Sequence, residues 1–151
     1  MPAPRDSSIL TIAGKDEPGR PMIVSGRVFS RDGKHVRAGT RVGVYHTDAR
    51  GDYHNIRGHA RLSGWLVTDS LGRYEIHTIR PGAYPDGRTP EHIHFIVDGW
   101  GNDELRFATD PRVSSAEREA SRAEGTFGTV QPVTIDAKGV QHVVRDLRSR
   151  Y

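Results

Sequence analysis

The most informative part of this chain is the run Thr78-Ile79-Arg80-Pro81-Gly82-Ala83-Tyr84-Pro85, which is followed closely by Glu91-His92-Ile93-His94-Phe95. Side chains alternate between the two faces of a β-strand, so His92 and His94 lie on the same face. Ile93, Phe95 and Val97 lie on the other face and form a candidate core stripe. Because imidazole is the most common neutral metal ligand, the histidine face is a candidate functional surface.

The composition limits the classes of protein to be considered. The chain has 151 residues, enough for one domain with its own core, and its 17 Gly and 9 Pro favour strands joined by many turns. The 22 basic and 19 acidic residues give a net charge of +3, and no basic block marks a nucleic-acid surface. Cysteine is absent, so any metal must be held by His, Tyr, Asp or Glu.

The sequence also indicates where the chain acts. Residues 1–22 contain no apolar stretch of signal-peptide length, and no run approaches the length of a membrane span. We therefore expect a cytoplasmic protein with no nucleic-acid or membrane partner.

Strand-length apolar segments separated by turn residues predict an all-β fold, an antiparallel β-sandwich with one short surface helix near the C-terminal third. Residues 1–21 are expected to form an extended N-terminal arm, and residues 22–151 a single β-sandwich catalytic domain. The expected helix begins at Ser114 or Ser115 and ends at Gly125. The expected strands are Met22–Ser30, Thr40–His46, Ala60–Thr68, Arg73–Arg80, Glu91–Asp98, Glu104–Ala108, Thr129–Ile135 and Val140–Asp146.

A short pattern, T-D-x-x-G-x-Y, occurs twice in the chain. It runs from Thr47 to Tyr53 and again from Thr68 to Tyr74. Asp can accept hydrogen bonds from the backbone two residues further on, and Gly supplies a left-handed position. Both copies therefore predict a strand followed by a turn and a tyrosine, without deciding which tyrosine is functional.

Tyr53, Tyr84, His92 and His94 are the candidate metal ligands. A phenol has an ordinary pKa of about 10, so only a strongly acidic cation would keep it ionised at neutral pH. Fe(III) meets this requirement, and two phenolates with one hydroxide would balance its charge. The residue types alone leave copper, zinc or no metal as alternatives, because a His-x-His pair on a strand occurs in all of these settings.

The order of these motifs resembles the intradiol ring-cleavage dioxygenases, the family of protocatechuate 3,4-dioxygenase and catechol 1,2-dioxygenase. The similarity covers roughly residues 23–111 and includes both T-D-x-x-G-x-Y copies, the approach to Tyr84 and the histidine pair. It implies a non-haem Fe(III) enzyme that cleaves a catechol-type ring with O2 to a muconate-type dicarboxylate. Tyr53, Tyr84, His92 and His94 then fall on the metal ligands, and Tyr74 becomes a structural tyrosine.

The resemblance also implies further roles, and the chain departs from the family at several of them. Tyr84 would leave the metal and help accept a substrate proton. The family's arginine three residues before the first histidine is Thr89 here, and we assign its catalytic role to Arg88. The family's Gln corresponds to Glu104.

We expect Tyr45 and Trp100 to contact substrate and Trp65 to lie in the core. The other histidines are expected at the surface or at sheet edges: His35, His46, His54, His59, His77 and His142.

Two alternatives to the dioxygenase remain open at this point. A transthyretin-like β-sandwich module that binds or spaces without a catalytic metal would explain the first half of the chain, including the repeated turns. A zinc or copper site on His92 and His94 would keep the metal but change its identity. Members of the dioxygenase family often form oligomers, so a homo-oligomer is compatible with that interpretation.

Overall fold

The computed structural model describes residues 7–151, which form two β-sheets and one α-helix. The elements are β1 (Ile9–Thr11), β2 (Pro21–Phe29), β3 (Arg41–His46), β4 (Leu62–Val67), β5 (Arg73–Ile79), β6 (His92–Val97), β7 (Trp100–Phe107), α1 (Ser115–Glu124), β8 (Val130–Gln131), β9 (Thr134–Ile135), β10 (Gln141–Val144) and β11 (Leu147–Arg148). The first sheet has the strand order β1-β5-β2-β10-β9, with β11 also paired to β2, and the second has the order β4-β3-β6-β7-β8.

The predicted all-β fold is confirmed, but the sheets are mixed and not purely antiparallel. Four pairings are parallel: β1 with β5, β10 with β2, β11 with β2, and β7 with β8. Parallel neighbours need a crossover connection, and α1 lies in the connection from β7 to β8. The short surface helix is therefore a crossover, a role that the strand pattern did not reveal.

The edges of the fold depart most from the predicted elements. β1 lies within the segment 1–21 expected as an arm and pairs with β5, so that part belongs to the first sheet. Residues 1–6 of the segment lie outside the described residues. Strand β7 begins at Trp100 and not at Glu104, because Asp98 and Gly99 form a tight turn with φ of 55° and 74°.

The helix has the ends that the sequence predicts. The Ser114 side chain accepts a hydrogen bond from the backbone N–H of Glu117, and Gly125 caps the other end with φ of 59°. These contacts satisfy backbone groups that the first and last turns leave without intrahelical partners. The helix therefore begins and ends for local reasons that require no tertiary information.

The core lies between the two sheets and confirms the stripe on β6. Ile93 and Phe95 are fully buried and Val97 nearly so, and they belong to one cluster with Val24 of β2 and Ile76 of β5. Alternation along β6 then directs the two histidines to the outer face of the second sheet. Core packing thus determines the side on which the candidate ligands lie.

His46 is the clearest error among the histidines expected at the surface, because it is completely buried. Its Nδ1 donates to the carbonyl oxygen of Thr47 at 2.6 Å, and its Nε2 accepts from the Thr78 hydroxyl at 2.6 Å. Thr78 belongs to the first sheet and His46 to the second, so this hydrogen bond joins the sheets. Burial lowers the pKa of His46 from 6.5 to about 4.

The two T-D-x-x-G-x-Y copies adopt the same turn. Asp48 accepts from the backbone N–H groups of Arg50 and Asp52, and Asp69 accepts from those of Leu71 and Arg73. The glycine of each copy, Gly51 and Gly72, has φ near 80° or slightly below. The shared sequence therefore encodes a shared local structure.

The first copy also holds the segment that carries Tyr84. The Thr47 hydroxyl donates to the carbonyl oxygen of Gly82 at 2.8 Å, and the Gly82 N–H donates to the carbonyl oxygen of Asp48 at 2.8 Å. A Cβ on Gly82 would lie 2.4 Å from the carbonyl oxygen of Ala49, and one on Gly51 would lie 1.9 Å from that of Ala83. Only glycine at both positions permits this approach of the two backbones.

Among residues 7–151 there is no helix with the length and apolar character needed to cross a membrane.

Acid is expected to destabilise the fold through His46. Unfolded His46 gains a proton as the pH falls through 6.5, whereas the buried imidazole stays neutral until the pH approaches 4. Between these two pH values protonation favours the unfolded state, so the free energy of unfolding decreases as the pH is lowered. Between about pH 7 and about pH 4.5, wild type should lose about 2 kcal/mol more unfolding free energy than His46→Gln. Urea denaturation at both pH values measures this, and the exposed His35→Gln should behave as wild type. Equal losses in wild type and His46→Gln would contradict the assignment.

Gly82→Ala is expected to reduce the free energy of unfolding by about 1–3 kcal/mol, because its methyl group would collide with the backbone of the first turn. Gly14→Ala is the matched control, since no atom lies within 4 Å of its added Cβ and neither glycine has a positive φ. The control should change stability by about 0.5 kcal/mol or less. Equal free energies of unfolding for the two variants would refute the role of the close backbone contact.

Candidate metal centre

The four predicted ligands meet on the outer face of the second sheet. The phenol oxygens of Tyr53 and Tyr84 are in direct contact. Tyr53 Oη lies 3.1 Å from His94 Nε2, and Tyr84 Oη lies 3.1 Å from His92 Nε2. Residues from three separate parts of the chain therefore bring two oxygen and two nitrogen donors to one point.

Each donor is delivered by a different local structure. The histidines project from β6, whereas Tyr53 follows the first turn after β3 and Tyr84 follows β5. The hydrogen bonds between Thr47, Asp48 and Gly82 tie the two tyrosine segments together. The relative positions of the phenols thus depend on main-chain contacts between loops, and those of the imidazoles on strand alternation.

Hydrogen bonds on the far side of each ring define the tautomers of both histidines. Nδ1 of His92 donates to the carbonyl oxygen of Pro90 at 2.7 Å, and Nδ1 of His94 donates to Oδ1 of Asn102 at 2.8 Å. In a neutral imidazole the other nitrogen then carries a lone pair. Both Nε2 atoms therefore face the phenols as acceptors, the state in which histidine binds a metal.

The four donor atoms lack enough protons to satisfy one another. Tyr53 and Tyr84 supply two hydroxyl protons, and the two Nε2 lone pairs require both. No proton then remains for the contact between the phenol oxygens of Tyr53 and Tyr84. A cation at the common point would satisfy all four atoms at once, so the donor set fits a metal.

The surroundings oppose charge on these groups in the absence of a cation. Burial, followed by the hydrogen bond with Tyr84, raises the pKa of Tyr53 well above its ordinary value. Burial also lowers the pKa of His94, which keeps that imidazole neutral. Phenolate at Tyr53 therefore requires a nearby positive charge that the protein's own residues do not provide.

Glu104 belongs to a competing group of potential ligands. With His92 and His94 it forms a cluster whose ligand atoms all lie within 4.8 Å. Its carboxylate, however, lies 4.0 Å from His94 Nδ1, which Asn102 already occupies, and it pairs with Arg106 at 3.0 Å. The unprotonated Nε2 atoms of both histidines thus point toward Tyr53 and Tyr84 and not toward Glu104.

A cavity of about 700 Å³ opens beside the four donors. Tyr53, Tyr84 and His94 line one part of it, and Trp65 and Ile96 line another. Tyr45 also lines the cavity, and its ring stacks on that of His94 with centroids 4.4 Å apart. The position of Tyr45 is therefore compatible with the predicted substrate contact.

Two other predicted residues lie away from this cavity. Arg88 is exposed on the loop before β6, where Asp86 accepts hydrogen bonds from the backbone of Arg88 and Thr89. Trp100 is not among the lining residues, and its ring packs against the Arg150 guanidinium at 3.8 Å. The substrate role of Trp100 and the catalytic role of Arg88 stay predictions.

Several residues beside the donors were not predicted from the sequence. Trp65, expected in the core, is 40% exposed and lines the cavity, as do Asn55 and His59. The alternation Leu62, Gly64, Leu66 along β4 is the signal that places Trp65 on the outer face. Asn102 carries no comparable signal, because its contact with His94 depends on the β6–β7 register.

The chain is similar in sequence to known dioxygenases. The family model described as Dioxygenase matches residues 1–122, well over half of the chain. The beta chain of protocatechuate 3,4-dioxygenase from Burkholderia cepacia is 42% identical over 94 residues, covering 54% of this chain and 40% of that protein. Hydroxyquinol 1,2-dioxygenase from Rhizobium sp. (strain MTP-10005) is 27% identical over 150 residues, covering 86% of this chain and 49% of that one.

Solved structures show the same architecture. The dioxygenase domain of a dioxygenase–carbohydrate-binding protein fusion from Streptomyces sp. SirexAA-E has a TM-score of 0.71 at 25% identity, covering 97% of this chain and 91% of that one. Catechol 1,2-dioxygenase from Acinetobacter sp. ADP1 has a TM-score of 0.71 at 22% identity, covering 97% of this chain and 58% of that one. The present chain thus spans less than half of the two relatives compared by sequence, but nearly all of the Streptomyces domain.

Proposed function

The chain belongs to the intradiol dioxygenase family, and on that premise we propose that it is a non-haem Fe(III) enzyme that cleaves a catechol-type ring with O2. The ring opens between its two hydroxylated carbons, and both atoms of O2 enter a muconate-type dicarboxylate. The observation that carries the proposal is the convergence of Tyr53, Tyr84, His92 and His94 on one point with both imidazoles presenting Nε2.

The donor set favours iron over the other metals considered. Phenolates are hard ligands that need a strongly acidic cation, and the raised pKa of Tyr53 strengthens this requirement. Bound there, Fe(III) would supply the Lewis acidity that ionises the phenols and activates the catechol toward O2. The family membership and the tyrosine donors argue against a module without metal, and against zinc or copper on the histidines alone.

The residues around the proposed metal position have different roles in the reaction. Tyr53, Tyr84, His92 and His94 would hold the cation, and Tyr84, whose oxygen is adjacent to that of Tyr53, would accept a proton from the incoming catechol hydroxyl. Tyr45 holds the His94 ring in place by stacking and flanks the bound substrate. To Arg88 we assign the role of stabilising the negative charge that develops on the substrate.

The small-molecule partners follow from the same proposal. A catechol and O2 are the small-molecule partners. The cytoplasmic location and the homo-oligomer stay predictions from the sequence.

Iron-loaded protein is expected to be red-brown, because tyrosinate bound to Fe(III) absorbs visible light. Tyr53→Phe and Tyr84→Phe should each weaken or shift this band and lower O2 uptake with catechol by about 100-fold or more. Tyr151→Phe, an exposed tyrosine outside the cluster, is the control and should keep both properties. Visible spectra, iron analysis and an oxygen electrode supply the measurements. A fully iron-loaded but colourless protein would disprove paired tyrosinate ligation.

Asn102→Ala is expected to weaken iron binding by about 10–100-fold, because His94 loses the acceptor that keeps its proton on Nδ1. Asn102→Asp retains an acceptor at the same position and should restore most of the affinity. Competition with a chelator, followed through the visible band, measures both variants. If the alanine and aspartate variants bind iron equally well, Asn102 does not position His94.

A further inference from the structure

We propose that the catechol cleaved by this chain carries an aromatic substituent, and that the indole of Trp65 is the surface on which this substituent rests. The proposal depends on the proposed function, because it names the class of substrate for that same centre. It makes Trp65 a specificity-determining residue separate from the metal ligands.

The cavity is larger than a single ring requires. Its volume of about 700 Å³ lies within the range of pockets that hold drug-sized ligands, several times the size of one six-membered ring. Tyr53, Tyr84 and His94 border one part of it only, and the rest extends over the outer face of β4, β3 and β6 and along the loop 55–60. A simple catechol bound at the metal would leave that remainder filled with water.

Strand register shows what lies beyond the donors. Tyr45 pairs with His94 on one side and with Ser63 on the other. Two residues along, about 7 Å away on the same face, Gly43 pairs with Ile96 and Trp65. A polar row of cavity-lining residues is therefore followed by an apolar row, with a glycine between a tryptophan and an isoleucine.

The glycine allows the indole to lie over the sheet. A Cβ on Gly43 would be 2.8 Å from Cζ3 and 2.9 Å from Cη2 of Trp65, so any side chain there would displace the ring. The Arg41 guanidinium lies 4.3 Å from the ring centroid and holds the indole from β3. Trp65 nevertheless stays 40% exposed on the wall of the cavity.

These features fit an aromatic substituent better than a polar one. Large flat side chains gain most by contact with another ring, and Trp65 lines the cavity while 40% of its surface stays exposed. Ile96 supplies an aliphatic wall across Gly43 from the indole. The distance of about 7 Å between the polar row and the apolar row suits a ring attached directly to the catechol. The ligand would thus have its two hydroxyls at the donors and its second ring on Trp65.

The first test compares catechol with 4-phenylcatechol as substrates of the iron-loaded enzyme. We expect kcat/KM to favour 4-phenylcatechol by about tenfold or more, and Trp65→Leu to lower that ratio by about tenfold. Leu71→Ala, an exposed apolar residue on a turn outside the cavity, is the control and should keep the wild-type ratio. A ratio that Trp65→Leu leaves unchanged would overturn the proposal while the dioxygenase activity stands.

The second test measures binding without turnover. The chain has two tryptophans, Trp65 and Trp100, so the part of the fluorescence quenching that is lost in Trp65→Leu comes from Trp65. In iron-loaded protein without O2, 4-phenylcatechol should quench the Trp65 fluorescence at about tenfold lower concentration than catechol. Equal quenching by both ligands would overturn the proposal. Emission from Trp65 that changes with protein concentration would also overturn it, because another copy of the chain would then cover the indole. Binding that follows the expected order without O2 uptake by any catechol would instead contradict the proposed function.

Discussion

The contact between two stretches of main chain, the turn that ends at Tyr53 and the segment Pro81-Gly82-Ala83, is the constraint on which the candidate centre depends. The first stretch follows a strand of the second sheet and the second follows a strand of the first, so their contact closes the sandwich at the point where the phenols meet. Gly51 and Gly82 allow the backbones to approach within distances that exclude any side chain. The spacing of the tyrosines is thus set by backbone geometry, which tolerates little error.

Much of the fold could be predicted because the evidence for it is local. Alternation on β6 separated the core residues from the histidines, and Ser114 and Gly125 marked the ends of the only α-helix among the described residues. The parallel pairings of β1, β8, β10 and β11 could not be predicted in this way. These strands contain two to four residues, too few for a periodic pattern, and their partners are distant in sequence.

The residues of the candidate site that belong to a sequence motif could be predicted, and those whose position depends on the pairing register of the strands could not. The tyrosines and histidines lie in patterns typical of one family, and the structure brings them together. Asn102 contacts His94 only because β6 and β7 pair as a hairpin. Trp65 was assigned to the core by its size, although the burial of Leu62 and Leu66 places it on the outer face. His46 was missed although strand alternation places it on the same face as the buried Val42 and Val44.

Strand β4 lies at the edge of its sheet, paired on one side with β3 only. An edge position tolerates substitution and insertion better than a central one, since fewer neighbours must adjust. The indole therefore stands on an edge strand, whereas the histidine donors stand on β6 at the centre of the same sheet. Substitutions along β4 can accordingly reshape the wall of the cavity without replacing any of the four donor residues, none of which lies on that strand.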